Sequence, residues 1–227
     1  MVFDEVGFIS YNPSGINGST MVIYVWKAHW IMIKNTVVDV FRPDEKISAV
    51  LYDTMVIICG SLILGLSSQV KVYLPISPVP ITGQTFAVLM LAALLGSKRG
   101  VLAVLAYLVE GIFGLPVFAG GMGPATLIGP TGGYLVGFVA VAYVVGKLAE
   151  MGWDRRVSTT IAAMLAGEIV LYAFGVSWLA IMTNIRTALT VGLYPFIVGD
   201  ILKVILAAAV LPAGWKLLDY LKTKRTQ

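Results

Sequence analysis

The sequence predicts an all-α fold: a polytopic membrane protein, built as a compact bundle of six transmembrane helices with Gly/Pro-rich outer loops. Three observations carry that expectation. Of 227 residues, 58% are hydrophobic and only 12% are charged, about half the charged share of a soluble domain. The apolar residues gather in six separate runs. Between the runs stand glycine and proline clusters that do not continue a helix. The length suits one bundle rather than two domains. The expected organisation is an N-terminal extension over 1–45, a membrane domain over 46–220 and a basic tail over 221–227.

The extension comes first. Residues 1–20 are polar, with Gly, Ser and Asn and no basic opening, so they do not read as a standard signal peptide. Residues 21–33 are apolar but too short to cross a bilayer, and they carry Lys27 and His29. An interfacial helix is one reading. A start codon read too early, with Met21 or Met32 as the true start, is the other.

The six runs are expected at 51–70, 85–95, 100–113, 133–145, 161–182 and 193–211. The second, third and fourth are short, so tilted or re-entrant backbone is expected around them, which is tolerated where it lines a cavity. Positive charge sets the direction. Lys98 and Arg99 follow the second run, Lys147, Arg155 and Arg156 the fourth, and Lys216, Lys222, Lys224 and Arg225 the sixth. The opposite side holds only Lys71 and Arg186. The expectation is a multi-pass protein of the cell membrane with both termini cytoplasmic. The net charge of +4 reflects these basic loops and not a nucleic-acid footprint.

Chemistry is confined to a few side chains. In the first run, Ser61, Gly65 and Ser68 form a small-residue face on which another helix can approach closely, either a partner's or one of this bundle. The proline-rich stretch 74–81 leads to Thr82, Gln84 and Thr85, neutral hydrogen-bonding groups at a helix start, where capping is the alternative role. Glu110 closes the third run on the outer side. The segment 114–133 is rich in glycine yet carries Leu115, Val117, Phe118 and Leu127, so it is expected to be packed. It lacks the Lys-Ser/Thr of a phosphate-binding loop, which argues against ATP binding by this chain. In the fifth run Glu168 and Tyr172 share a face four residues apart, with Ser177 and Trp178 further along.

Asp200 and Lys203 are the most telling pair. Each stands in an apolar run, where an ionised group costs about 2.5–3.5 kcal/mol on insertion scales. Three residues apart, they share a helix face and can offset each other or meet one ligand together. A structural ion pair that fixes helix rotation is the other reading. They fall in the outer half, on the side of the two Gly/Pro-rich loops, which favours an externally accessible site.

Four motifs occur in order: Pro75-x-x-Pro-Val-Pro-Ile-Thr-x-Gln84-Thr85, Gly114-Leu-Pro-Val-Phe-Ala-Gly-Gly, Gly129-Pro-Thr-Gly-Gly-Tyr134 and Gly199-Asp200-x-x-Lys203. On these residues the chain resembles the BioY family, the biotin-specific substrate-binding (S) components of energy-coupling-factor (ECF) transporters. The resemblance spans residues 50–215. Residues 1–45 depart from the family's short start, and Ser61 and Gly65 stand where the family typically has alanines.

The resemblance implies a protein that captures biotin from outside. It would associate through the first helix with an ECF transmembrane coupling subunit and two ATPase subunits. ATP turnover by those partners would topple it toward the inside. No enzyme activity, cofactor or metal is expected of the chain itself. The residues suit biotin: Asp200 can accept from a ureido N–H and Lys203 can donate to the ureido carbonyl. Phe118, Tyr134, Tyr172 and Trp178 are candidate walls, and Gln84 and Glu168 complete the candidate set. The ligand's carboxylate would need loop N–H groups between 120 and 132, or Arg186. Which end lies deeper is left open. An S component for another small solute would share the architecture. An intramembrane enzyme built on Gly175-Val-Ser177 would need a base, and the one histidine, His29, lies outside the six runs. A purely structural scaffold would leave the buried charges costly and idle. Cys59, the single cysteine, excludes an intramolecular disulfide.

Overall fold

The computed structural model describes residues 36–225. The segment 21–33, with its two candidate start methionines and His29, lies outside the described residues. Along the described chain, helix α1 is Val37–Val40 and α2 is Lys46–Ser67. Strands β1 (Lys71–Val72) and β2 (Ile81–Thr82) follow, then α3 (Gln84–Ile112) and the short α4 (Ala125–Ile128). The rest is α5 (Gly132–Glu150), a 3-10 turn at Trp153–Arg155, α6 (Val157–Met182), α7 (Ile185–Gly192) and α8 (Ile197–Arg225). Among the described residues, five helices are long and apolar enough to cross a membrane: α2, α3, α5, α6 and Ile197–Leu221 of α8.

Helix α3 is not straight. Gly96 takes φ 79° and ψ 176°, a backbone state that side-chain-bearing residues rarely adopt. The chain reverses there, and the arms 84–95 and 97–112 lie side by side. A Cβ on Gly100 would sit 3.4 Å from the Ala92 Cα, and Gln84 Nε2 donates to the Tyr107 hydroxyl at 2.5 Å. In one continuous helix, residues 84 and 107 would stand about 35 Å apart. The second and third apolar runs are therefore the two arms of one hairpin. The last run begins later than expected: residues 193–196 are outside α8, and the helix continues past 211 through Pro212 to Arg225.

Packing follows the apolar faces. The α3 hairpin lies against α2 and α5, α5 against α6, and α6 against α8. The core holds Leu64, Leu89, Val104, Tyr107, Val141 and Met164. Around it, large apolar side chains such as Leu51, Leu62, Ile169 and Leu202 are exposed, as a lipid-facing shell requires. Ser61, Gly65 and Ser68 are buried on the inner face of α2. Ser61 Oγ donates to Glu110 Oε1 at 2.7 Å, and a Cβ on Gly65 would already press on Val117 at 3.0 Å. The small-residue face thus seats the bundle's own α3 and the following loop. This corrects the expectation of an open partner surface there.

The end of the bundle holding the Gly96 turn is locked by polar contacts. Arg99 reaches Asp39 and Asp53, each at 2.8 Å, and Arg42 also binds Asp53 at 2.9 Å. The Asp53 hydrogen bond holds the Arg42 guanidinium above its ordinary pKa, against the effect of burial. Residues 36–42 are thereby tied to α2 and α3. Glu150 Oε1 accepts from the Ser97 amide and hydroxyl at 2.8 and 2.7 Å, closing the hairpin turn onto α5. Asp154 accepts from Trp215 Nε1 at 2.6 Å, which docks α8, and burial pushes that carboxyl above the usual range.

Candidate functional site

At the opposite end, where α2 finishes and α5 begins, a cavity of about 580 Å3, part of it open mouth, lies between α3, α5, α6, α8 and the 114–131 segment. Its polar groups converge from three helices. Asp200, buried in the first turn of α8, accepts from Lys203 Nζ at 2.9 Å. The same ammonium donates to Thr85 Oγ1 at 2.5 Å, at the start of α3. The Tyr172 hydroxyl, from α6, donates to the other Asp200 oxygen. A carboxylate and an ammonium in an apolar bundle are each matched here, yet both still border open space.

Gln84 joins this lining beside Thr85, its side chain held from behind by Tyr107. The walls are apolar: Phe118, Phe138, Leu171 and Phe196. Tyr134 also lines the cavity, and its hydroxyl donates to the Gly192 carbonyl at 2.7 Å, pinning the end of α7. Phe118 comes from the glycine-rich segment. Its ring lies on Gly111, where any Cβ would collide with it. The two loops at this end are joined as well. The Ala119 carbonyl accepts from Lys71 Nζ at 3.2 Å and from the Tyr73 hydroxyl at 2.9 Å.

Six of the eight expected ligand residues, Gln84, Phe118, Tyr134, Tyr172, Asp200 and Lys203, thus meet in one cavity. Two do not line it. Trp178 is partly exposed and donates through Nε1 to the Gly129 carbonyl at 3.0 Å, bracing the loop from outside. Glu168 is buried one turn before Tyr172 on α6, and neither of its carboxylate oxygens has a hydrogen-bond partner among the described residues. Arg186 and Ser177 are exposed and away from the lining. Sequence reasoning missed Phe138 and Phe196. Each was within reach of a helix-face argument, since Phe138 is four residues after Tyr134 and Phe196 four before Asp200.

The arrangement can hold a small, largely apolar molecule with a compact head that both donates and accepts hydrogen bonds. Similar proteins point the same way. The chain is 44% identical over 139 residues to a protein named biotin transporter BioY from Thermotoga maritima, covering 60% of this chain and 81% of that one. It is 40% identical over 158 residues to a protein of the same name from Rhizobium etli, covering 66% and 84%. A crystal structure at 2.1 Å of the S-component for biotin from an ECF-type ABC transporter superposes with a TM-score of 0.63 at 27% identity, covering 73% of this chain and 92% of that one. The model of the BioY family matches residues 19–220, so the chain that builds this cavity inside a multi-pass membrane bundle belongs to the BioY family.

Proposed function

We propose that this chain is the biotin-binding S component of an ECF-type uptake transporter. The observation that carries the reading is the Asp200–Lys203–Thr85 group at the polar side of an otherwise apolar cavity. A ureido ring carries two N–H donors and one carbonyl acceptor. Asp200 accepts from the first and Lys203 donates to the second, while the thiophane and valeryl portions lie along Phe118, Tyr134 and Phe138. The names of the similar proteins support the same ligand.

The finer parts of the reading belong to the same proposal. Counting the two arms of α3 separately, the bundle crosses the membrane six times. Basic residues favour a cytoplasmic Gly96 end, with both termini on that side and the cavity facing outward. Transport then relies on a transmembrane coupling subunit and two ATPases, since no phosphate-binding loop motif occurs in this sequence. Their docking face is not the inner face of α2. The extension before residue 36 takes no part in ligand capture.

The test is binding of labelled biotin to the purified protein in detergent. Saturable binding is expected, with competition by desthiobiotin, which keeps the ureido ring. Folded protein that gives neither binding heat nor competition overturns the assignment and leaves an S component for another solute.

A further inference from the structure

Tyr107 touches no open space, yet it grips two walls of the cavity. It is fully buried, in the second arm of α3. Its hydroxyl accepts from Gln84 Nε2 at 2.5 Å, across the hairpin from the first arm. Its ring meets the Phe118 ring edge-on, with centroids 5.4 Å apart and planes at 78°. Gln84 and Phe118 both line the cavity and come from segments more than thirty residues apart. One buried side chain therefore positions a polar wall residue with its hydroxyl and an aromatic wall residue with its ring.

The hydroxyl contact has a chemical consequence. A glutamine amide ends in one acceptor oxygen and one donor nitrogen, and either can face a ligand. With one of the two Nε2 N–H groups given to Tyr107, the Oε1 acceptor is the end of the amide turned away from it and left to the cavity. The wall then holds Lys203 as a donor and two acceptors, the Asp200 carboxylate and the Gln84 oxygen. Two acceptors suit a head group with two N–H donors. A site built for a hydrogen-bonding group rejects an analogue lacking it far better than an apolar pocket rejects an extra methylene. We infer that Tyr107 is a positioning residue of the ligand site, fixing the Gln84 amide with its oxygen toward the cavity and so setting selectivity for a ligand with two N–H donors. The inference rests on the ligand reading above.

The experiment is a double-mutant cycle on the full-length protein, with labelled biotin as the probe. Tyr107→Phe keeps the ring against Phe118 and removes only the hydroxyl. Affinity is expected to fall about five- to twentyfold, and discrimination against a biotin analogue methylated on one ureido nitrogen to shrink. In a Gln84→Ala background, Tyr107→Phe should have no further effect, because its influence runs through the amide. A purely structural role would lower the melting temperature and act equally in both backgrounds. Tyr107→Met repeats the cycle if the phenylalanine variant does not fold. Wild-type binding with an unchanged Tyr107→Phe variant, or equal losses in both backgrounds, overturns this inference alone. No binding by the wild type overturns the ligand reading and this inference with it.

Discussion

The two ends of the bundle use charged residues in opposite ways. At the Gly96 end, Arg99 is shared by Asp39 and Asp53, and Asp53 is shared by Arg99 and Arg42, so each charge is met by charges of the same chain. At the cavity end, Lys203 and Asp200 meet each other and Thr85, but both also border space that a small molecule can fill. Charge matched only from within joins segments. Charge matched from within on one side and open on the other can bind. The difference lies in the surroundings of the ion pairs and in the cation, arginine at one end and lysine at the other.

The comparison is broken most severely at Arg99. Arg99→Leu leaves Asp39 buried without its cation and should cost about 3–5 kcal/mol of stability. The expected readout is a large drop in melting temperature in detergent, with biotin affinity unchanged in the protein that remains folded. A normal melt with lost binding would mean that the two ends are not separate in function. Asp200→Asn should do the reverse. Affinity should fall by about 1.5–3 kcal/mol, the worth of a charge-assisted hydrogen bond, while the melt stays close to wild type. Titration calorimetry checks the first part, and an unchanged affinity would move the ligand away from α8.

A smaller effect is expected at Gly111. Alanine there favours the helix but displaces the Phe118 ring. Affinity should fall about tenfold, or roughly 1.4 kcal/mol, with the fold kept. Full affinity in that variant would show that the glycine-rich segment can yield without disturbing the site. The smallest effect is expected at the N-terminus. Deleting residues 1–34 should change neither affinity nor melt, whereas extending the deletion to residue 44 removes Asp39 and Arg42 and should lower the melt. Equal melts for the two deletions would show that the shared-arginine cluster contributes little.

Much of this was legible in the chain, because long apolar runs and their glycine and proline breaks follow from the cost of unpaired backbone in lipid. Asp200 and Lys203 stood out for the same reason, as charges where charge is expensive. What hydropathy does not encode is direction. Lipid and helix core are equally apolar, so nothing in Ser61, Gly65 and Ser68 told whether a partner or the same bundle would use them. Trp178 and Glu168 sit on a helix bordering the cavity, but rotation about its axis carries Trp178 to the loop, while Glu168, on the same face as Tyr172, lies one turn too deep. The clasp of Asp39 and Arg42 was invisible because charges before a first span ordinarily read as solvated. The late start of α8 was marked in the sequence by Pro195, whose ring disfavours helix in the residue before it.

The Gly96 turn has a last consequence, in terms of membrane thickness. Residues 84–95 form an arm of about 18 Å at 1.5 Å per residue, whereas the hydrocarbon layer is about 30 Å. Tied at Gly96 to the far end of the bundle, this arm stops about 12 Å short. The missing stretch is replaced by the narrow β1–β2 ribbon and its proline turn. On the six-crossing reading proposed above, Thr85 and Gln84 would therefore lie beneath the bilayer surface and not at it. On that reading the length of the first arm of α3 sets how far a solute must descend to reach Asp200.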